Sequence, residues 1–135
     1  MRIFSVLLAA AVAVLTPQIA SARPSLRDVA EIENPLFAVA VAKEVADHCD
    51  SIGPRYMKGL GELRRLKARA NELGYSDKEI RAYVDSKSEK ARMRAKGERL
   101  LAQNGVSYDK PETFCAYGRA EIKNNSAIGV LLRAK

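Results

Sequence analysis

The sequence predicts an all-α protein: a small four-helix bundle-like domain with one disulfide, preceded by a cleaved signal peptide. Apolar residues recur at steps of three and four over Tyr56, Leu60, Leu63, Leu66, Ala70 and Leu73, the period of one helix face. Helix-start signals recur at Asn34-Pro35, Ser76 to Glu79 and Pro111-Glu112, where capping side chains accept from free backbone N–H groups or a proline needs no donor. No alternating β-branched run, tandem repeat or low-complexity linker interrupts the pattern.

The first 22 residues have the three parts of an export leader. Arg2 precedes an apolar run from Ile3 to Leu15, Pro17 breaks it, and Ala20-Ser21-Ala22 forms an A-x-A cleavage site. The run is shorter than the roughly 20 residues that a membrane-spanning helix needs, and no later segment approaches that length. No cysteine follows at a lipoprotein-type position and no paired arginines precede the run, so the signals for lipid anchoring and twin-arginine export are missing. The expectation is a Sec-type leader over residues 1–22, a mature chain from Arg23 with no transmembrane helix, and a periplasmic or secreted location. Residues 23–135 then form a single helical domain, within the usual size for one core.

Ser25 to Asp28 is an S-x-x-D pattern followed by Val29, Ala30 and Ile32, which predicts a short N-terminal helix. Asn34-Pro35 predicts a second start, and the dense apolar segment from Leu36 to Ala46 makes this the most buried helix. It ends before Gly53-Pro54, with Cys49 in or just beyond its last turn. The next helix begins near Pro54, buries the face from Tyr56 to Leu73 and stops at Gly74. Ser76 and Glu79 then form a capping box that starts a long, largely wet helix reaching Leu100 and Leu101. Asn104-Gly105 ends it, Val106 to Lys110 connects, and Pro111 opens a last helix bearing Cys115. Asn124-Asn125-Ser126 ends that helix or only bends it, and Ile128, Val130, Leu131 and Leu132 supply a terminal apolar cluster.

The whole chain carries a net charge of +7, and loss of Arg2 with the leader leaves 22 basic against 16 acidic residues. Residues 55–100 hold fourteen basic and seven acidic side chains, so the charge belongs to the middle of the chain. Such a field favours protein partners of acidic character or an anionic membrane surface; nucleic acid is a poor candidate for an exported protein. The candidate contact surface is Arg64, Arg65, Lys67 and Arg69 together with Lys87, Lys90, Arg92, Arg94, Lys96 and Arg99, set against the plainer reading of solvated helix faces.

Cys49 and Cys115 are the only cysteines, and export to an oxidising compartment predicts that they pair. In an up-down-up-down bundle the end of the first long helix and the start of the fourth share a pole, which is where these two residues stand. Asp47-His48-Cys49-Asp50 offers consecutive ligand or nucleophile types. Residues adjacent on a helix point apart, however, and neither C-x-x-C nor H-x-x-x-H is present, so zinc binding and a Cys-His nucleophile are both disfavoured. His48 with Met57 or Met93 has no specific spacing for haem, and Gly59 with Gly61 is only G-x-G inside a helix pattern. Glu31 with Glu33 and Asp77 with Glu79 fall at helix starts, where acids are expected on electrostatic grounds. No catalytic residue, metal site or cofactor is predicted, and the chain is not expected to be an enzyme.

Gly74-Tyr75-Ser76 before a basic helix, then Glu112 to Ile122 (ETFCAYGRAEI) and Ser126-Ala127-Ile128-Gly129, resemble an uncharacterised family of small exported alphaproteobacterial proteins. The similarity covers most of the chain after the leader and includes both cysteines. The resemblance implies no assigned activity and no catalytic residues. It does imply an association with respiratory NADH dehydrogenase gene clusters, from which an accessory role at a membrane respiratory complex follows as an expectation. From the residues themselves the leading expectation is an exported helical binding or accessory protein with a protein partner. The alternative is a small periplasmic chaperone-like protein whose basic helices hold unfolded or acidic clients.

Overall fold

The computed structural model describes residues 23–135; the expected leader, with its cleavage residues Ala20 and Ala22, lies outside the described residues. Five α-helices and one small sheet make up the fold: α1 (Ala30–His48), β1 (Ile52–Pro54), α2 (Tyr56–Glu72), α3 (Asp77–Asp85), α4 (Lys87–Gln103), α5 (Pro111–Lys123) and β2 (Leu132–Ala134). Two 3-10 turns, Leu26–Asp28 and Gly129–Leu131, flank them. The protein is mostly helical, as expected; the face of α2 expected to be buried from Tyr56 to Leu73 is exposed at Tyr56, Leu60 and Leu63, because no element among the described residues covers it there, and three features of the secondary structure also depart from the sequence reading.

The first concerns α1, the central helix, which packs against α2, α4 and α5. Asn34-Pro35 does not start it, because Pro35 lies inside a helix that begins at Ala30 after Val29. The proline removes the one hydrogen bond that would reach back to the Glu31 carbonyl. Burial of Ile32 and Glu33, each only 4% exposed, holds the preceding turn helical despite that loss. The S-x-x-D pattern yields only the 3-10 turn, and Ser25 makes no side-chain cap.

Secondly, the long wet helix is two helices. Ser76 caps α3 by accepting from the Glu79 N–H at 3.1 Å, but the Glu79 carboxylate pairs with Arg23 instead of returning to the cap. The chain then breaks at Ser86, which caps α4 by accepting from the Glu89 N–H at 3.3 Å. Ser86-Lys87-Ser88-Glu89 is itself an S-x-x-E box, hidden in a run of helix-favouring charged residues. There are therefore five helices rather than four among the described residues. Wetness is as expected: Leu101 is the one buried residue of α4, and α3 has none.

Thirdly, β1 and β2 pair antiparallel, with Ile52 opposite Ala134, Gly53 opposite Arg133 and Pro54 opposite Leu132. Three-residue strands show no periodicity that a sequence can display. They form because α5 ends at Asn124-Asn125, where Asn125 takes a left-handed φ of 47°, and returns the terminal apolar cluster to the core. Ile128, Leu131 and Leu132 are buried there with Val45, Ile52, Phe114 and Tyr117. A second, smaller cluster joins Leu26 and Ile32 to Leu66, Ala70 and Tyr75.

The sulfurs of Cys49 and Cys115 lie at disulfide distance, 2.05 Å apart, with Cα atoms 5.2 Å apart. Cys49 immediately follows α1 and Cys115 stands early in α5, so the bond ties the two central helices at one shared pole.

Candidate functional site

A cleft of about 490 Å³ opens between α1 and α4. Its apolar lining comes from Leu36, Phe37, Ala40 and Val41 on α1 and from Met93, Gly97 and Leu101 on α4. Tyr83 and Val84 of α3 and Tyr108 of the α4–α5 connection complete it. The composition of α4 explains why the space exists. Its only large apolar residues are Met93, Leu100 and Leu101, and at Gly97 a Cβ would stand 3.9 Å from both Phe37 and Val41. The helix therefore approaches α1 without side chains long enough to fill the space between them.

Charged groups line the same cleft. Lys43, with its ammonium 2.5 Å from the Asp47 carboxylate, and Glu44 belong to α1; Lys90, Arg94 and Glu98 belong to α4. Glu44 is occupied, accepting from the Tyr108 hydroxyl at 2.9 Å, and burial with that bond pushes the Tyr108 phenol up to about 12. Lys90, Arg94 and Glu98 have no ion-pair partner among the described residues.

The ten basic residues singled out in the sequence divide into ion-paired and unpaired groups. Arg65 pairs with Glu62, Lys67 with Asp77, Arg69 with Glu31 and Glu72, and Arg92 with Glu33 and Glu89. Lys96 lies 3.8 Å from Glu33 and 4.3 Å from the centre of the Phe37 ring. Arg64, Lys87, Lys90, Arg94 and Arg99 remain unpaired among the described residues, and of these Lys90 and Arg94 reach the cleft.

Asp47-His48-Cys49-Asp50 diverges as helix geometry requires. Asp47 faces Lys43, Cys49 is bonded to Cys115, and Asp50 is exposed. His48 stacks on Phe114 with ring centres 4.6 Å apart and meets the edge of Tyr108 at 5.1 Å. Its Nδ1 lies 2.9 Å from the Glu44 carbonyl. The imidazole is thus a packing group between helix α1 and the start of α5. Of the two methionines weighed with it, Met93 lines the cleft and Met57 is exposed.

Glu33 was missed by sequence reasoning. It is the one buried charged residue among those described, and it ties three helices together. The Tyr83 hydroxyl donates to its Oε2 at 2.7 Å, and Arg92 approaches its Oε1 to 2.9 Å. Oε1 nonetheless receives no well-directed hydrogen bond. Arg92 also donates to the Tyr83 hydroxyl and to Glu89, which in turn pairs with Arg27. Burial, with the bond to Glu33 next in effect, pushes the Tyr83 phenol up to about 12. The available signal was position: Glu33 interrupts the helical stripe of Val29, Leu36, Phe37 and Ala40, where an acid needs a buried partner.

Residues 24–133 match a family described as a family of unknown function, DUF5333. No curated protein and no solved structure matches the chain.

Proposed function

The chain belongs to this family of unknown function, and we propose that it is an exported, disulfide-stapled binding protein without catalytic activity. In this reading the α1–α4 cleft takes the apolar side of a segment of a partner protein. The observation that carries it is the cleft itself, apolar at its centre and bordered by Lys90, Arg94 and Glu98, which have no ion-pair partner among the described residues. Apolar pockets with a few placed polar groups are the usual form of a binding site. The reading of export rests on the leader pattern of residues 1–22, with the Cys49–Cys115 pair as support. No helix among the described residues is long and apolar enough to cross a membrane.

The test is gentle crosslinking in the native host, followed by identification of partners by mass, for the wild type and for Gly97→Leu. A leucine at position 97 replaces a poor helix former and sets its side chain against Phe37 and Val41 in the cleft, so it fills the site, and a urea midpoint equal to that of the wild type checks that the fold is kept. One recurrent partner, lost in Gly97→Leu and retained in Gly61→Ala, is the expected result. Equal capture by both variants overturns the cleft as the site. Suppression of aggregation of unrelated proteins, with no recurrent partner, moves the reading to a chaperone. Intact mass on the same material reports the leader and the disulfide together: a start at Arg23 and a two-hydrogen loss are expected, and free thiols overturn the staple.

A further inference from the structure

The first half of α2 exposes what the second half buries. Leu66 and Ala70 are in the core, whereas Tyr56 and Met57 are 78% and 76% exposed and Leu60 and Leu63 are each 40% exposed. Tyr56, Leu60 and Leu63 fall at i, i+4 and i+7, one face of the helix, and Met57 stands beside them. The start of α2 is anchored by the Arg55 N–H, which donates to the Leu131 carbonyl at 2.8 Å, yet a Cβ built at Gly59 or Gly61 would meet nothing within 4 Å, so the helix has open space on those sides.

Its surroundings are cationic. Arg55, Lys58 and Arg64 are exposed and have no ion-pair partner among the described residues. Arg133 and Lys135, carried by the β1–β2 pairing, reach over Gly53 two residues before Arg55. Of the carboxylates nearby in sequence, Glu62 is taken by Arg65, and Asp50 is exposed.

We propose that this end of the molecule is a peripheral membrane-docking surface: Tyr56, Met57, Leu60 and Leu63 enter the interface of an anionic phospholipid bilayer, while Arg55, Arg64, Arg133 and Lys135 face its headgroups. Charge complementarity selects this occupant. A second copy placed on the same patch would set Arg55 and Arg64 against themselves. Tyr56 and Met57 project outward instead of lining a recess, which suits insertion among headgroups and acyl chains. Tyrosine in particular places an apolar ring and a polar tip at that depth. The segment is short, so binding is reversible and salt-sensitive. It is independent of the cleft, and together the two features describe a protein that meets its partner at a membrane surface.

The sequence has no tryptophan, so Met57→Trp adds a single reporter at an exposed position. The processed protein is mixed with vesicles of phosphatidylglycerol and phosphatidylcholine, or of phosphatidylcholine alone. Expected are a blue shift and quenching by brominated lipid with the anionic vesicles only. Arg64→Gln and Arg133→Gln each weaken partitioning about fivefold, and Tyr56→Ser or the pair Leu60→Asp and Leu63→Asp abolishes the shift. Tyr56 is exposed enough that its replacement tests the surface even where the double variant unfolds. Gly97→Leu leaves partitioning unchanged, which separates this result from failure of the cleft reading. Water-exposed emission with anionic vesicles, or wild-type partitioning in Tyr56→Ser, overturns the proposal. A shift seen only with an acidic protein reassigns the patch to a protein partner.

Discussion

Gly129 lies so close to the Glu121 carbonyl that a Cβ on it would come within 1.9 Å of the oxygen. The contact seats the turn Gly129–Leu131 on the end of α5, with Ser126 accepting from the Gly129 N–H at 2.9 Å. Both residues belong to the motifs on which the family resemblance rests. The neighbouring case is Gly118, where a Cβ would meet Ile52 at 2.6 Å and Val45 at 2.9 Å.

The same substitution has opposite signs at two glycines. Gly129→Ala forces backbone away from backbone and destabilises by about 3 kcal/mol or more. Gly61→Ala, at a position with open space in helix α2, stabilises by about 0.5–1 kcal/mol through helix propensity. Urea midpoints of the two variants, read at equal m-values, check both; equal effects would remove the close approach from the account of the motif.

The Cys49–Cys115 bond closes a loop with a sequence separation of 66. Chain entropy gives about 4 kcal/mol for a loop of that length, as an upper figure. The double variant Cys49→Ala with Cys115→Ala is expected to lose a large part of that. Cys49 is 1% exposed, so Cys49→Ser buries an additional hydroxyl and loses more. Reversible unfolding with and without reductant measures the difference, and a change below about 1 kcal/mol contradicts the staple.

Glu33 and Tyr83 form a coupled pair across α1 and α3. Glu33→Ala leaves Arg92 facing a site without its anion and is expected to destabilise by about 2–4 kcal/mol. Tyr83→Phe removes the hydroxyl that donates to Glu33 and accepts from Arg92 and costs about 1–2 kcal/mol. A double-mutant cycle should give coupling of about 0.5–3 kcal/mol; strict additivity would show that the two groups stabilise the fold separately.

Three phenols set an alkaline limit. Burial, aided by Glu33, Glu44 and Glu121 respectively, pushes Tyr83, Tyr108 and Tyr117 from 10.0 up to about 12. A group whose folded pKa is raised stabilises fully below its unfolded value and loses that contribution as pH rises through the folded one. Stability should therefore hold up to pH 10 and fall between pH 10 and about 12. Absorbance at 295 nm with parallel urea midpoints follows it. Tyr83→Phe should flatten the fall, and an unchanged slope counts against the assignment.

Much of the helix content was legible because caps and periodicity act locally. Ser76, Gly74, Asn104-Gly105 and Pro111 mark real boundaries, since each satisfies or frees backbone groups within a turn of itself. Tyr56, Leu60 and Leu63 misled for the converse reason. Their period identifies a helix face, but whether that face meets a neighbour depends on distant elements. The cleft was illegible as well, because it arises from the mismatch between a dense apolar α1 and a thinly apolar α4, neither of which encodes the gap alone.

By itself, then, the sequence determined the helical class, the disulfide pair and most helix ends, all of which follow from short-range geometry or from the pairing of two cysteines. Tertiary structure decided the continuity of α1 through Pro35, the β1–β2 pairing, the burial of Glu33 and the exposure of Tyr56 and Met57. Each of these turns on what lies across from a residue in space, and burial against a distant element outweighs the local preference of a proline, a carboxylate or an apolar stripe.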